Sequence, residues 1–286
     1  MFLAVARCGQ ILAAARKLGV DHATLSRRIS ALENRVQTRL FDRHTSGCVL
    51  TSAGEEFLPI AERVESEMIR AEGLFGSTRL ELSGTVRVGA PDGFGTYFLA
   101  PELGELTLRH PGLTLQLVPL PRLFSLSKRE AEIAITLDRP EEGNLVAKKL
   151  TDYTLSAYIS QSHVARFGSI ETLKDLKNRC LVTYVSDIRY SKSLNYFSEL
   201  DDLIPRRYEC ASVIAQLEAV RSGVGIGILH DYAARMFPDL VNVLPSRKYI
   251  RSYWIVSTKD VRKLKRVSEV YDFINERVLA NRQLFL

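Results

Sequence analysis

The stretch DHATLSRRISALE, Asp21 to Glu33, limits the fold most, because its pattern fits a short capped helix with one apolar stripe and little else. Asp21 can accept bonds from the free N–H groups of a helix start. Leu25, Ile29, Leu32 and Val36 recur at helical spacing, which turns Ala23, Ser26, Arg27 and Ser30 outward. That outer face is small, hydroxylic and cationic, so it can approach base edges, where Arg pairs with guanine and Ser or Thr with several bases. Just before it, Ile11, Ala14, Ala15 and Leu18 form a second, narrower stripe that ends at Gly19. Glycine there suits the left-handed turn that stops one helix and lets the next leave at a steep angle.

The segment AAARKLGVDHATLSRRISALE, followed by RLFDR and LTSAG, resembles the N-terminal signature of the LysR-type transcriptional regulators. Each piece is weak alone; the order and spacing together are specific. The resemblance implies an α+β and α/β chain: an N-terminal winged helix-turn-helix over 1–54, a linker and dimerisation helix over 52–80, and an effector domain over 84–286. It also implies that the effector domain has the two-lobed fold of type 2 periplasmic binding proteins, with lobe one at about 84–160 and 252–286 and lobe two at about 161–251. The function expected is a sequence-specific DNA-binding transcriptional regulator whose DNA binding or activation is modulated by a small molecule in the inter-lobe cleft. A rival reading is a solute-binding or sequestering protein with an impaired DNA-binding head. It is prompted by residues 1–9, which read as the second half of a first helix that starts earlier in the family.

Charge supports nucleic acid as the partner. The net charge is +6, and residues 1–54 hold eight basic residues against three acidic ones, so nearly all the excess lies in the head. Cys8, Cys48, Cys180 and Cys210 show no metal-ligand spacing, which favours reduced thiols in a cytoplasmic protein; a redox-sensing pair finds no closely spaced cysteines in the sequence. The opening MFLAVARCGQILAAA is interrupted by Arg7 and reads as helix, not as a signal peptide, and no apolar run reaches membrane-spanning length. No HExxH pair, nucleophile elbow, P-loop or kinase signature is present, so neither an enzyme, a metal nor a cofactor is expected. Gly223, Gly225 and Gly227 form a GxGxG, but helix precedes it and strand follows, the reverse of a dinucleotide fingerprint.

In the head, the expected DNA-binding residues are His22, Ala23, Thr24, Ser26, Arg27, Arg28 and Arg43. His22 and Ala23 stand where the family often carries Gln and Pro, whereas Ser26, Arg27 and Arg28 match. His22 has two readings, a purine edge or phosphate and water; Arg27 is the first candidate for direct readout. Gln10 replaces the family's capping Ser at the second helix, and Gln is a poor cap. Leu40 and Phe41 read as a buried anchor before a two-stranded wing turning at Ser46 and Gly47. The resemblance makes Arg43 a backbone clamp, beside the alternative of a solvated wing charge. From about Ser52 to Thr78, Phe57, Ala61, Val64, Met68, Ala71 and Phe75 alternate steps of four and three, a heptad seam with Glu55, Glu56, Glu62, Glu65 and Glu67 outside. Such a rod is expected to pair with a second copy, giving a homodimer or homotetramer on a roughly palindromic stretch of double-stranded DNA. RNA polymerase is a further expected partner; a membrane is not.

After a hinge at Leu82, Ser83 and Gly84, strands TVRVGA, LTLQLVPL and AEIAITL alternate with helices, which argues a parallel sheet with ligand chemistry at the strands' carboxyl ends. The glycine-rich run Pro91 to Thr96 before a helix from Tyr97 to Arg109 is either a ligand-binding lip or only a strand-to-helix turn. Phe124 to Ser127 are expected to open another helix, LVTYVS to form a strand of lobe two, and Ser212 to Ser222 and Leu264 to Leu279 to be helices. By resemblance the cleft residues are Asp92, Gly93 and Phe94 on one lip, Phe124 and Ser125 beneath it, and Ser186 and Asp187 on lobe two. Asp187 either binds a cationic or hydroxylated ligand or caps a turn.

Overall fold

The computed structural model describes residues 1–44, 47–75, 82–126, 130–140, 145–194, 200 and 203–286. It divides into two compact units, Met1–Thr78 and Arg79–Leu286.

In the first unit α1 (Phe2–Cys8), α2 (Ile11–Leu18) and α3 (His22–Val36) are followed by β1 (Phe41–His44), β2 (Gly47–Leu50) and α4 (Ser52–Phe75). Gly19 stops α2 with φ +64, in the left-handed region where a side chain would be strained. Asp21 then caps α3, its carboxylate accepting from the Thr24 N–H at 2.8 Å. Gln10 supplies no side-chain cap to α2, as its chemistry suggested. Phe2, Val5, Ile11, Ala14, Ala15, Leu25, Ile29, Leu40 and Phe41 form one buried cluster. Leu18 and Val36, expected to extend the two stripes, are exposed, because each is the last residue of its helix and lies past the packed turns. β1 and β2 pair antiparallel from Phe41↔Leu50 to His44↔Gly47; Ser46 of the expected wing turn lies outside the described residues.

The seam of α4 divides in two. Phe57 and Ala61 pack on the head cluster of their own chain, whereas Val64 and Met68 are 60% and 64% exposed. Glu65, expected outside, instead accepts both Arg7 guanidinium bonds, at 3.0 and 2.6 Å, and ties α1 to the linker helix. The expected extension from 76 to Thr78 lies outside the described residues.

The second unit is built on an eight-stranded sheet of order β4-β3-β5-β10-β6-β9-β7-β8. β3 (Gly84–Ala90) runs parallel to both β4 (Leu113–Pro119) and β5 (Ile133–Thr136), the parallel arrangement the alternating pattern suggested. β6 (Leu145–Ser160) and β10 (Leu240–Thr258) are long antiparallel partners that run through both lobes. β10 pairs with β5 at Trp254–Ser257, and β6 pairs with β9 (Ile226–His230) from Leu155 to Tyr158. The first crossing therefore lies before Leu155, earlier than the Ser160 expected, because the strand that leaves lobe one is already a strand of lobe two. β7 (Cys180–Thr183) with β8 (Arg206–Glu209) completes lobe two. Gly223, at φ +85, ends the helix Val213–Arg221, and β9 behind it is wholly buried, so the GxGxG is structural.

Between the lobes lies a stack of rings. Tyr153 stacks on Tyr253 at 4.1 Å and on His230 at 5.1 Å, and the Tyr232 and Tyr253 hydroxyls bond at 3.0 Å. Beside it Asp231, almost wholly buried, accepts from Thr154, Ser156 and Tyr158 hydroxyls at 2.6, 3.2 and 2.9 Å, which satisfies the carboxylate without a cation. His230 Nδ1 has no hydrogen-bond partner among the described residues, and burial pulls the imidazole down to about 4. The unfolded chain, with an ordinary imidazole near 6.5, binds the proton first, so stability is present above that value and lost as pH falls toward the folded one. Urea unfolding of the second unit should lose about 2 kcal/mol between about pH 7.5 and about pH 5 from this group, and His230→Gln should remove that part. An unchanged pH dependence in the variant would refute the assignment.

Candidate functional site

Two regions carry chemistry, one in each unit. In the head, Leu25 and Ile29 are buried, and their burial orients α3 so that His22, Ala23, Arg27 and Arg28 are exposed and Thr24 and Ser26 partly so. Arg27 Nη2 donates to Thr24 Oγ1 at 3.3 Å, a weak bond between two exposed groups that leaves most of the guanidinium's donors for other acceptors. Among the described residues Arg28 donates to the Met1 thioether, at 3.6 Å.

Arg43, exposed on the wing, is tied to α3. Its guanidinium donates to Ser26 Oγ at 3.1 Å and Ser30 Oγ at 3.2 Å and lies 3.5 Å from the Glu33 carboxylate. Ser26 and Arg43 thus form one unit across the wing and α3, and each serine hydroxyl, used here as an acceptor, keeps its own proton to donate. Glu33 was not anticipated. Its Oε1 accepts from the Leu40 and Phe41 N–H groups at 2.9 and 3.1 Å, so this carboxylate suspends the wing's first strand from the recognition helix. An acid at the end of the apolar stripe, just before the Leu40–Phe41 anchor, was the available signal.

In the second unit Asp92, Gly93 and Phe94 form the first turn of a helical run that continues through a π turn, Gly95–Leu99, into Ala100–Arg109. The expected loop is therefore helix from Asp92 onward, since Pro91 sets φ at −55 and Gly95 takes an ordinary helical conformation. A side chain at Gly95 would come within 2.6 Å of Pro119, so this glycine serves close packing.

Asp92 is 3% exposed and reaches across the cleft. Its Oδ2 accepts from Ser212 Oγ at 2.8 Å and from the Ile214 N–H at 3.5 Å, at the N-terminus of the helix Val213–Arg221, where a carboxylate is favoured. Its Oδ1 is buried without a hydrogen-bond partner among the described residues. Gly93 lies against Val213, near enough that a Cβ would meet it at 3.0 Å. Phe94 does not face the cleft: it is fully buried among Phe98, Tyr253 and Phe285 and belongs to the core. Phe124 covers Gly89 and packs on a small cluster with Leu126, Ala131, Ala134 and Val256, under the Arg122 guanidinium at 4.7 Å. The segment from Phe124 to Leu126 is not helical, Ser125 bonding to Glu130 instead; Ser127 lies outside the described residues. Ser186 and Asp187 lie exposed on a 3-10 turn, Ser186–Ile188.

A second bridge escaped the sequence reading. Asp138, after β5, accepts from Ser191 Oγ at 2.5 Å and from Ser193 Oγ, and Arg251 Nε donates to the Ser193 carbonyl at 3.0 Å. Two carboxylates of lobe one thus hold hydroxyls of lobe two.

Residues 79–279 match the family described as LysR substrate binding domain, and residues 1–55 match the bacterial regulatory helix-turn-helix protein, lysR family. The chain belongs to the LysR-type transcriptional regulators. An HTH-type transcriptional regulator of Xanthomonas campestris pv. campestris (strain 8004) is 29% identical over 83% of this chain and 71% of its own length. Among solved structures, a full-length OxyR variant from Pseudomonas aeruginosa superposes with a TM-score of 0.69 at 18% identity, covering 97% of this chain and 92% of that one. Full-length LysG from Corynebacterium glutamicum, with bound effector Arg, gives 0.59 at 18% identity over 97% and 95%. These structures share the fold. As a LysR-type regulator the chain binds DNA through its helix-turn-helix unit and couples that binding to a small molecule through its substrate-binding domain.

Because Asp92 is a principal tie across the cleft, Asp92→Ala should loosen it. Amide exchange at residues 92–96 and 212–216 should rise several-fold with the sheet's core unaffected. Equal exchange in the variant would show that the lobes are held by other contacts.

Proposed function

We propose that the cleft between the lobes is the effector seat and that α3, Arg43 and the wing are the DNA-reading surface of a regulator that acts as a homodimer or a dimer of dimers in the cytoplasm. The observation that carries the reading is the pair of carboxylate–hydroxyl bridges, Asp92 with Ser212 and Asp138 with Ser191 and Ser193. Such bonds exchange readily with a bound polar molecule, and a ligand changes the balance of lobe arrangements by as much as its affinity for the two differs. Asp92 and Gly93 remain cleft candidates; Ser212 joins them. Ser186, Asp187 and Ser125 stay in the reading as rim groups, and Phe94 and Phe124 support it from within.

On the DNA side Ala23 permits close approach, Arg27 reads a base edge, and His22, Thr24, Ser26 and Arg28 contact neighbouring bases or phosphates. Arg43 approaches the phosphate backbone while holding Ser26. Val64 and Met68, exposed on α4, are the part of the seam left for a second copy. The protein is read as a binding protein and not an enzyme, and contact with RNA polymerase is the route to activation.

Gel shifts on the protein's own upstream DNA test this. Arg27→Ala should cost about 1–3 kcal/mol on the cognate site and narrow the gap to scrambled DNA. Arg43→Ala should weaken both and lower the salt dependence. A wild-type chain with no sequence-dependent shift would favour the rival reading of a sequestering protein. Met68→Glu should convert the dimer to a monomer in sedimentation, and a persisting dimer would place the interface elsewhere.

A further inference from the structure

We propose, on the reading that the cleft is the effector seat, that its ligand is an organic cation whose ammonium group is received by Asp92 Oδ1. Asp231, Asp138 and Asp92 are all held by hydroxyls, and they differ in what is left over. Asp231 has both oxygens engaged, Oδ2 by Thr154 and Ser156 and Oδ1 by Tyr158. Asp138 is engaged likewise, Oδ2 by Ser191 and Oδ1 by Ser193. Asp92 is buried as Asp231 is, yet its two donors, Ser212 Oγ and the Ile214 N–H, both go to Oδ2. Among the described residues Oδ1 receives no hydrogen bond, and Asp92 forms no ion pair with a Lys, Arg or His. A buried carboxylate oxygen is ordinarily met by a donor, and the chain leaves this one to a donor from outside.

Place and charge indicate what that donor is. Asp92 stands two residues past the carboxyl end of β3, where open α/β sheets hold ligands. A Cβ on its neighbour Gly93 would lie 3.9 Å from the Tyr232 hydroxyl. Burial first, with acidic neighbours that include Asp92 a lesser cause, pushes the Tyr97 and Tyr232 hydroxyls up, so the negative field of Asp92 reaches both rings. Aromatic rings and a carboxylate together attract a cation.

The start of the helix Val213–Arg221 would by itself favour an anion. Asp92 already fills that place with Oδ2, so the charge turned to the cleft is negative and an anionic ligand would meet its like. An ammonium on Oδ1 leaves the bond between Oδ2 and Ser212 in place. The ligand thereby strengthens the tie between the lobes and draws the balance toward the joined arrangement.

Ligand-observed NMR on the full chain tests this with matched sets of amine, alcohol and carboxylate built on the same alkyl and aryl skeletons. Binding should be confined to amines, and a bound amine should slow amide exchange at residues 92–96 and 212–216. Asp92→Asn keeps an acceptor for Ser212 but turns an N–H donor toward the ligand, so it should weaken amine binding at least about tenfold. Its melting temperature without ligand should stay near that of the unaltered chain, and the preference for amines in the unaltered chain is read without any variant. Carboxylates that slow exchange at the same two segments would overturn the ammonium and keep the cleft as the seat. Amines that slow exchange only elsewhere would overturn both. No amine binding, or equal binding by Asp92→Asn, would overturn the site at Oδ1.

Discussion

The packing of Leu25 and Ile29 into the head cluster is the contact on which the rest depends. Both are essentially inaccessible, and because side chains on a helix repeat at about 3.6 residues, fixing two of them fixes where Ala23 and Arg27 point. Asp21 and Gly19 set where that helix begins; Glu33 sets where the wing hangs from it. The cationic surface is therefore held from below by apolar burial and from the side by one carboxylate, so its shape is preset before DNA arrives.

The second unit is organised on a different basis. Its lobes share two continuous strands, β6 and β10, so they cannot separate freely, and the ring stack of Tyr153, Tyr253 and His230 fills the crossing. What joins the lobes at the cleft is polar: carboxylates of one lobe meet hydroxyls of the other. Each such bond is worth only about 0.5–1.5 kcal/mol net, more where the carboxylate is charged, which suits a contact that a ligand must exchange. A rigid spine with weak polar ties is a physical basis for a two-state response.

Local grammar was legible. Gly19 as a left-handed stop, Asp21 as a cap, Leu40 and Phe41 as an anchor and Gly223 as a helix end all follow from neighbours a few residues away, and the structure has each. Parallel pairing of β3 with β4 and β5 followed from alternating strands and helices. The candidate site was only partly legible. Asp92 and Ser212 are 120 residues apart, and nothing local announces their bond. Phe94 sits in a motif that suggested a lip but was drawn inward by Phe98, Tyr253 and Phe285. The glycines around it suggested a loop, whereas tight packing against Pro119 and Val213 explains them better.

Guanine N7 methylation interference on the operator tests most directly whether the outer face of α3 enters the major groove. Binding of the unaltered protein should be blocked by methylation at guanines in two symmetric half-sites, and Arg27→Ala should erase the effect at one guanine of each while leaving the others. Interference that is identical for the two proteins, or strong binding to fully methylated DNA, would contradict the account.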